Sequence, residues 1–180
     1  MGYSLQDFCD DAREILLRSD NPDGREQIRQ KFESLLGDEA FCAEYVGPEN
    51  DSGMLQIYED SELHFCVLAY NMAGARTSPP HDHGNTWAVY GQVAGYTDMT
   101  VWSVADADAD DGGINKDRTF RLEPGQAGLF DVREIHSIDY AEGSKFVRVT
   151  GAEMSKETRR VFDAETGAVR EIEHVGSGNA

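Results

Sequence analysis

The sequence predicts a mainly β protein, a jelly-roll barrel with an N-terminal helical preface, and three observations carry that prediction. Apolar residues recur at helical spacing only before Gly37. From Gly53 onward they fall in short runs, and Gly, Pro and Asp punctuate the breaks between those runs. Many short strands divided by turns are how antiparallel barrels and jelly rolls read. In order along the chain, residues 4 to 17 place Leu5, Phe8, Ala12, Ile15 and Leu16 on one helical face, with Ser4 as N-cap. Asn21-Pro22-Asp23-Gly24 reads as a break. A second helix over 24 to 36 carries Ile28, Phe32, Leu35 and Leu36 and stops at Gly37. Strands are expected at 54–59, 63–71, 87–94, 97–104, 118–122, 127–132, 135–140, 145–151 and 159–163, with a last ribbon at 168–174. The chain is read as a single domain, residues 1–180, with a helical region at 1–47 packed outside a barrel at 54–174.

Bulk properties exclude several function classes. The net charge of −18 would repel the phosphates of nucleic acid and the headgroups of anionic membranes. It reads as a heavily solvated surface, with a salt-rich setting left open. The N-terminus lacks the basic start and apolar run of a signal peptide, and no stretch has the length of a membrane-spanning helix. Cys9, Cys42 and Cys66 are odd in number and form no Cys-x-x-Cys pair, so they read as reduced, buried thiols of a cytoplasmic protein. The aspartates of residues 106–113 lack the terminal glutamate and the glycine placement of a calcium loop, and a solvated hairpin loop is expected there.

Function is concentrated in the histidines. Of five, two form His81-Asp82-His83 and one is the isolated His136. An extended strand sends residues i and i+2 to one face, so His81 and His83 can present two imidazoles to one ion while Asp82 points away. A third ligand must come from another strand, and His136 is the candidate. This outweighs the alternative of ordinary loop histidines beside Pro79-Pro80. Three neutral imidazoles without a carboxylate leave a divalent ion its full charge and open positions. His64 and His174 have no ligand-type neighbours and read as structural.

The residues around the histidines resemble the cupin motifs. Four residues separate His83 from Ala88, which stands where the first motif carries a glutamate, and six more separate Ala88 from Gly95; the opening glycine corresponds to Gly74. Gly125 precedes His136 by the length of the second motif, with Asp131 and Arg133 in place of its proline and glycine. Among cupins the chain is similar to the thiol dioxygenases, which include cysteine dioxygenase and mercaptopropionate dioxygenase. The similarity spans residues 54–170, is most specific over 81–89, and continues into the tail 161–167. It implies a cupin double-stranded β-helix and Fe(II) held by His81, His83 and His136. It also implies a dioxygenase, an oxidoreductase whose partners are dioxygen and a small thiol or carboxylate-bearing molecule.

The departures are equally legible. The cysteine that crosslinks to tyrosine in cysteine dioxygenase is replaced by Ala88. The Ser-x-His-x-Tyr series is replaced by Arg148, Thr150 and Ala152, and the family's carboxylate-binding arginine falls near Leu55. If Ala88 faces the metal, strand alternation brings Tyr90 and Gln92 to the same face, Tyr90 as a candidate catalytic group and Gln92 as a substrate contact. Arg148, sharing a strand face with Thr150, either grips a substrate carboxylate or pairs with Glu134 or Asp131. Arg76 is a second candidate anchor. Trp87 and Trp102 read as core or pocket wall. Two alternatives stay open: a Zn, Mn or Ni cupin doing lyase, hydrolase or isomerase work, and a metal-binding module without oxygenase activity. Either a monomer or a homodimer fits.

Overall fold

A computed structural model describes residues 2–50, 53–105 and 113–172. The aspartate loop at 106–112, His174 and the C-terminal tail lie outside the described residues. Helix α1 (Leu5–Ser19) starts in a capping box: the Ser4 Oγ accepts from the Asp7 N–H, and the Asp7 carboxylate accepts from the Ser4 N–H at 2.9 Å. Helix α2 (Pro22–Leu36) begins two residues earlier than expected. The Asn21-Pro22-Asp23-Gly24 segment ends one helix and also starts the next: Asn21 caps it by accepting from Gly24 N–H at 3.0 Å, and Pro22 stands where no N–H is needed. Helix α3 (Glu39–Val46), capped by Asp38, was not expected. Its eight residues bury only Phe41 and Val46, too few for a readable period.

The strands are β1 (Gly53–Glu59), β2 (Cys66–Asn71), β3 (Arg76–Thr77), β4 (Ala88–Ala94), β5 (Thr97–Val104), β6 (Ile114–Leu122), β7 (Ala127–Phe130), β8 (Ile135–Tyr140), β9 (Lys145–Thr150), β10 (Arg159–Phe162) and β11 (Val169–Ile172). A five-stranded antiparallel sheet, β1-β2-β9-β4-β7, faces a four-stranded one, β3-β8-β5-β6, and β10 and β11 form a hairpin. These are the two facing walls of a jelly-roll barrel, a double-stranded β-helix.

Three boundaries differ from expectation for local reasons. β2 starts only at Cys66 because residues 61–63 form a turn, in which the Asp60 carboxylate accepts from the Glu62 and Leu63 N–H groups at 2.9 and 2.7 Å. β7 stops at Phe130 because Asp131–Glu134 form a tight turn with Arg133 at φ +61°, standing where the family motif has a glycine. β6 starts at Ile114, four residues early. Its first half, Asn115-Lys116-Asp117-Arg118, is an exposed edge without apolar alternation.

Register assigns faces. In the larger sheet, Ala88 lies opposite Thr150, Tyr90 opposite Arg148 and Gln92 opposite Phe146; across β9, Thr150 meets Cys66, Arg148 meets Leu68 and Phe146 meets Tyr70. Cys66, Leu68, Tyr70, Ala88, Tyr90 and Phe146 pack inward against Met99, Ile138 and Tyr140 of the smaller sheet. The alternate residues Val67, Ala69, Val89, Val147 and Val149 face outward and are covered by Phe8, Ile28, Phe32 and Leu35 of the helices. Both faces of this sheet are therefore dry, which is why β2 reads as a continuous apolar run. The close fit shows at Gly91, where a Cβ would meet both Phe32 and Leu36 side-chain carbons at 2.6 Å. Helix α2 also closes the edge at β7: Arg29 Nη1 donates to Ala127 O at 3.2 Å, and Ala127 N–H donates to Glu33 at 3.1 Å.

Candidate metal centre

The barrel brings the three sequence-distant imidazoles to one point. His81 sits on an extended segment between β8 and β10, bridging to His136 on one side and Val161 on the other. His81 N–H donates to His136 O at 2.8 Å and His136 N–H to His81 O at 2.9 Å, so the first and third candidate ligands are a directly hydrogen-bonded cross-strand pair. One potential ligand atom from each of His81, His83 and His136 lies within 4.8 Å of the others, and all three residues are buried. The ring centroids of His81 and His136 are 4.5 Å apart, those of His83 and His136 5.0 Å. Phe130 stacks on His136 at 3.9 Å and fixes its plane.

The donor set fits a divalent ion. His81 Nδ1 lies 3.0 Å from Pro79 O, and a carbonyl can only accept, so the proton sits on Nδ1 and Nε2 keeps its lone pair. Among the described residues that Nε2, His83 Nδ1 and both nitrogens of His136 are buried without a hydrogen bond of ordinary geometry, the Glu134 backbone alone lying near enough to the His136 ring to favour its protonated form. Buried polar atoms without partners are costly unless something binds them. Burial also pushes all three imidazoles toward the neutral form that a metal requires: His81 falls to about 4, His83 is held well below the ordinary histidine value by burial and by His136 and His81, and His136 by burial and by His81.

The same shifts make the metal-free protein sensitive to acid. In the unfolded chain these histidines protonate near pH 6.5, whereas folded His81 resists protonation down to about 4. Between those values the unfolded state binds more protons, so stability falls as pH drops from about 6.5 toward 4; above that window the contribution vanishes. His81 alone amounts to about 3 kcal/mol on this reckoning. The melting temperature of metal-free protein is expected to decline steeply below pH 6.5, and less steeply in a His81→Gln variant.

Asp82 points away from the cluster and is fully buried. Its carboxylate accepts from Gly84 N–H at 3.1 Å, Arg160 N–H at 2.9 Å and the Arg160 guanidinium at 2.6 Å. Asp82 N–H donates to Arg160 O and Phe162 N–H to Pro80 O, so the ligand loop is stitched to β10 along its length. Gly84 adopts φ +68°, and a Cβ there would meet Thr158 O at 2.2 Å; only glycine fits this turn between the ligands and Trp87. The motif glycines Gly95 and Gly125 likewise adopt positive φ, at +70° and +87°.

The expected pocket residues occupy different situations. Ala88 lines the barrel interior. The Tyr90 hydroxyl lies 3.2 Å from His83 Nε2. Gln92 is buried but committed to the β4–β5 turn, donating to Ala94 O at 2.7 Å and accepting from Thr97 Oγ1 at 2.8 Å. Arg148 is buried on the inner wall, its guanidinium 5.2 Å from the Tyr70 ring centroid and 5.8 Å from that of Tyr90. Glu134 and Asp131 are used elsewhere: Glu134 accepts from Asp131 N–H, and Asp131 pairs with Arg25. Burial opposes the Arg148 charge, but the Tyr70 and Tyr90 phenols beside it more than offset this, and its pKa stays above the ordinary arginine value. Thr150 is fully buried with its hydroxyl unpartnered. Arg76 is exposed at the rim, opposite Tyr140. Trp87 belongs to the helix-facing core, and Trp102 donates to Ser137 at 3.0 Å beside an outer cleft with Pro79 and Pro80. Leu55 and His64 are exposed, away from the cluster.

Sequence reasoning passed over Tyr70, Cys66 and Arg159. Burial raises Tyr70 and Cys66 to about 12, so both keep their protons. Alternation along β2 would have placed both on the inner face. Arg159 is lowered from the usual arginine value by burial and by the neighbouring Arg148 and Arg76 charges. No local signal marks it, because β10 reaches the site only through its long-range pairing with residues 80–82.

No family model matches the chain, and no curated protein matches it. Among solved structures it is similar to the cupin domain of Cnp3 from Schizosaccharomyces pombe (TM-score 0.42, 13% identity, 57% of this chain and 63% of that one). It is also similar to KdgF from Halomonas sp. (TM-score 0.38, 15% identity, 54% and 74%). A third similar structure is a double-stranded β-helix protein from Klebsiella pneumoniae (TM-score 0.38, 14% identity, 72% and 92%). The chain spans 63% of the length of the first of these. No helix among the described residues is long and apolar enough to cross a membrane.

Proposed function

We propose that this protein is a mononuclear non-haem iron cupin of the dioxygenase type, acting on a small thiol or carboxylate-bearing molecule. The observation that carries this reading is the buried cluster of His81, His83 and His136, kept neutral and joined by no carboxylate among the described residues. Fe(II) held by these imidazoles would supply the redox chemistry, with Zn, Mn or Ni as the competing occupants. The chain's own residues supply the rest. Tyr90 is placed to hold or deliver a proton beside His83, and Arg148 to hold an anionic group. The rings of Phe130, Phe146 and Tyr70 line the interior and exclude water. Three free cysteines support a reduced, cytoplasmic setting. Dioxygen and a small molecule are the proposed partners, and the protein acts as a monomer or homodimer.

Free cysteine is not the proposed substrate. Ala88 has no sulfur to crosslink, and Arg148, Thr150 and Ala152 replace the serine, histidine and tyrosine of cysteine dioxygenase. Metal analysis of protein purified without added metal, followed by oxygen uptake across small thiols and carboxylic acids, tests the reading. Iron with substrate-dependent uptake, and negligible uptake with cysteine, is the expected result. Turnover of cysteine at an ordinary enzymatic rate would overturn the pocket assignment, and a protein that takes up no metal would overturn the enzyme.

A further inference from the structure

The outer face of the smaller sheet carries a cleft that the metal centre does not use, with a volume of about 670 Å³. Small-molecule sites typically enclose roughly 300 to 1,000 Å³. Val101 and His136 are cross-strand partners turned into the barrel, so alternation turns their neighbours Trp102 and Ser137 outward, into the cleft. Trp102 Nε1 donates to Ser137 Oγ at 3.0 Å, which holds the indole in one orientation. Val161 and Arg170, directly opposite one another in the β10–β11 hairpin, line the same cleft, together with Pro79, Pro80 and the 54% exposed Val169. Most polar groups of this lining are already committed. Pro79 O accepts from His81 Nδ1, Pro80 O from Phe162 N–H, Ser78 Oγ from Ile138 N–H, and the Asp163 carboxylate from the N–H groups of Glu165 and Thr166. Arg170 is the charged exception: it is exposed and makes no hydrogen bond or ion pair among the described residues. The cleft therefore offers a water-facing apolar slot, one oriented indole and one cation, in a chain whose net charge is −18.

We propose that this cleft is a second binding site, separate from the metal centre, for a small planar aromatic molecule that bears a carboxylate. The ligand's ring lies against Trp102 and the proline and valine surfaces, and Arg170 holds the anion. An aromatic ring gains more from an oriented indole than its buried area alone supplies, and the planar fork of arginine matches the two oxygens of a carboxylate. An aliphatic acid of the same charge forfeits the first contribution, and a neutral aromatic forfeits the second. The site stands on the outer face of the sheet and does not depend on the identity or presence of an ion in the barrel.

The experiment is calorimetric titration of metal-free protein at fixed ionic strength with indole-3-acetate, the neutral indole-3-acetamide and the aliphatic acid cyclohexylacetate. Indole-3-acetate is expected to bind, and each analogue to bind about tenfold more weakly or less. Trp102→Ala and Arg170→Met should each weaken indole-3-acetate by a similar factor. Arg170 is exposed, so Arg170→Met should melt like the parent and carries the test even if Trp102→Ala proves unstable. Arg148→Met should bind indole-3-acetate as the parent does, because that guanidinium belongs to the barrel interior. In a nitrogen-15 spectrum the chain's two tryptophans give two indole N–H signals. The one absent from Trp102→Phe should shift on titration, and the Trp87 signal should stay in place. Equal binding by the parent and Arg170→Met would overturn the proposal. So would equally tight binding of either analogue, loss of binding in Arg148→Met, a shift confined to Trp87, or no binding at millimolar indole-3-acetate.

Discussion

Asp82→Ala is expected to lower both stability and metal affinity, the largest combined loss of any single substitution outside the ligands. Asp82 accepts three hydrogen bonds in complete burial and is the counter-ion of Arg160. Removing one member of a buried pair costs about 3 to 5 kcal/mol, and the partial exposure of Arg160 places this one near the lower figure. In a domain of this size that corresponds to a fall in Tm of roughly 6 to 12 °C. The carboxylate also fixes the backbone from which His81 and His83 project, and losing such a support typically costs about 10- to 100-fold in metal affinity. Asp82→Asn, which keeps the shape and part of the hydrogen bonding, should fall between the two. Thermal melting and competitive metal titration check both effects; an Asp82→Ala protein with parental Tm and affinity would show that the stitching to β10 does not hold the ligand loop.

His136→Ala is expected to separate metal from fold. The ring is buried against Phe130 with neither nitrogen making a hydrogen bond of ordinary geometry among the described residues, so its removal leaves a cavity but also takes away poorly satisfied polar atoms. Melting of the metal-free variant should stay close to that of the metal-free parent, while metal affinity falls by more than about 100-fold. His81→Ala and His83→Ala should behave in the same way. His64→Ala should leave metal content unchanged, since His64 lies exposed in the β1–β2 turn beside Glu59. The same is expected of a His174 variant.

How much of this was legible in the sequence depends on whether the relevant signal is local. Alternation and turn residues marked most of the barrel strands, because each strand buries at least one face. The spacing of His81 and His83 reported their shared face directly. Helix α3, two-residue β3 and the first half of β6 were not legible: the first two are too short to show a period, and β6 has no dry face to pattern it. Asn21-Pro22 was read as a stop because the same residues that end a helix also cap the next one. In the site, Tyr90 could be placed inward from its distance to Ala88. Gln92 shares that face, yet its amide is taken by a turn whose geometry the strand pattern does not encode. Arg148 could be assigned a face but not a partner, since only the fold shows Asp131 turned to Arg25 and Glu134 turned to Asp131 N–H. Arg159 arrives on a strand that starts 78 residues beyond His81 and pairs with the ligand loop only in the folded chain, and nothing near it in the sequence announces that.

The central claim is that His81, His83 and His136 together hold one metal ion. Metal-free protein loaded with Fe(II) under anaerobic conditions, dialysed to equilibrium and measured by X-ray absorption tests it most directly. One ion per chain with three imidazole scatterers, falling to none in His136→Ala, is the predicted result. An ion bound without His136, or no stoichiometric uptake by a folded parent, would contradict it.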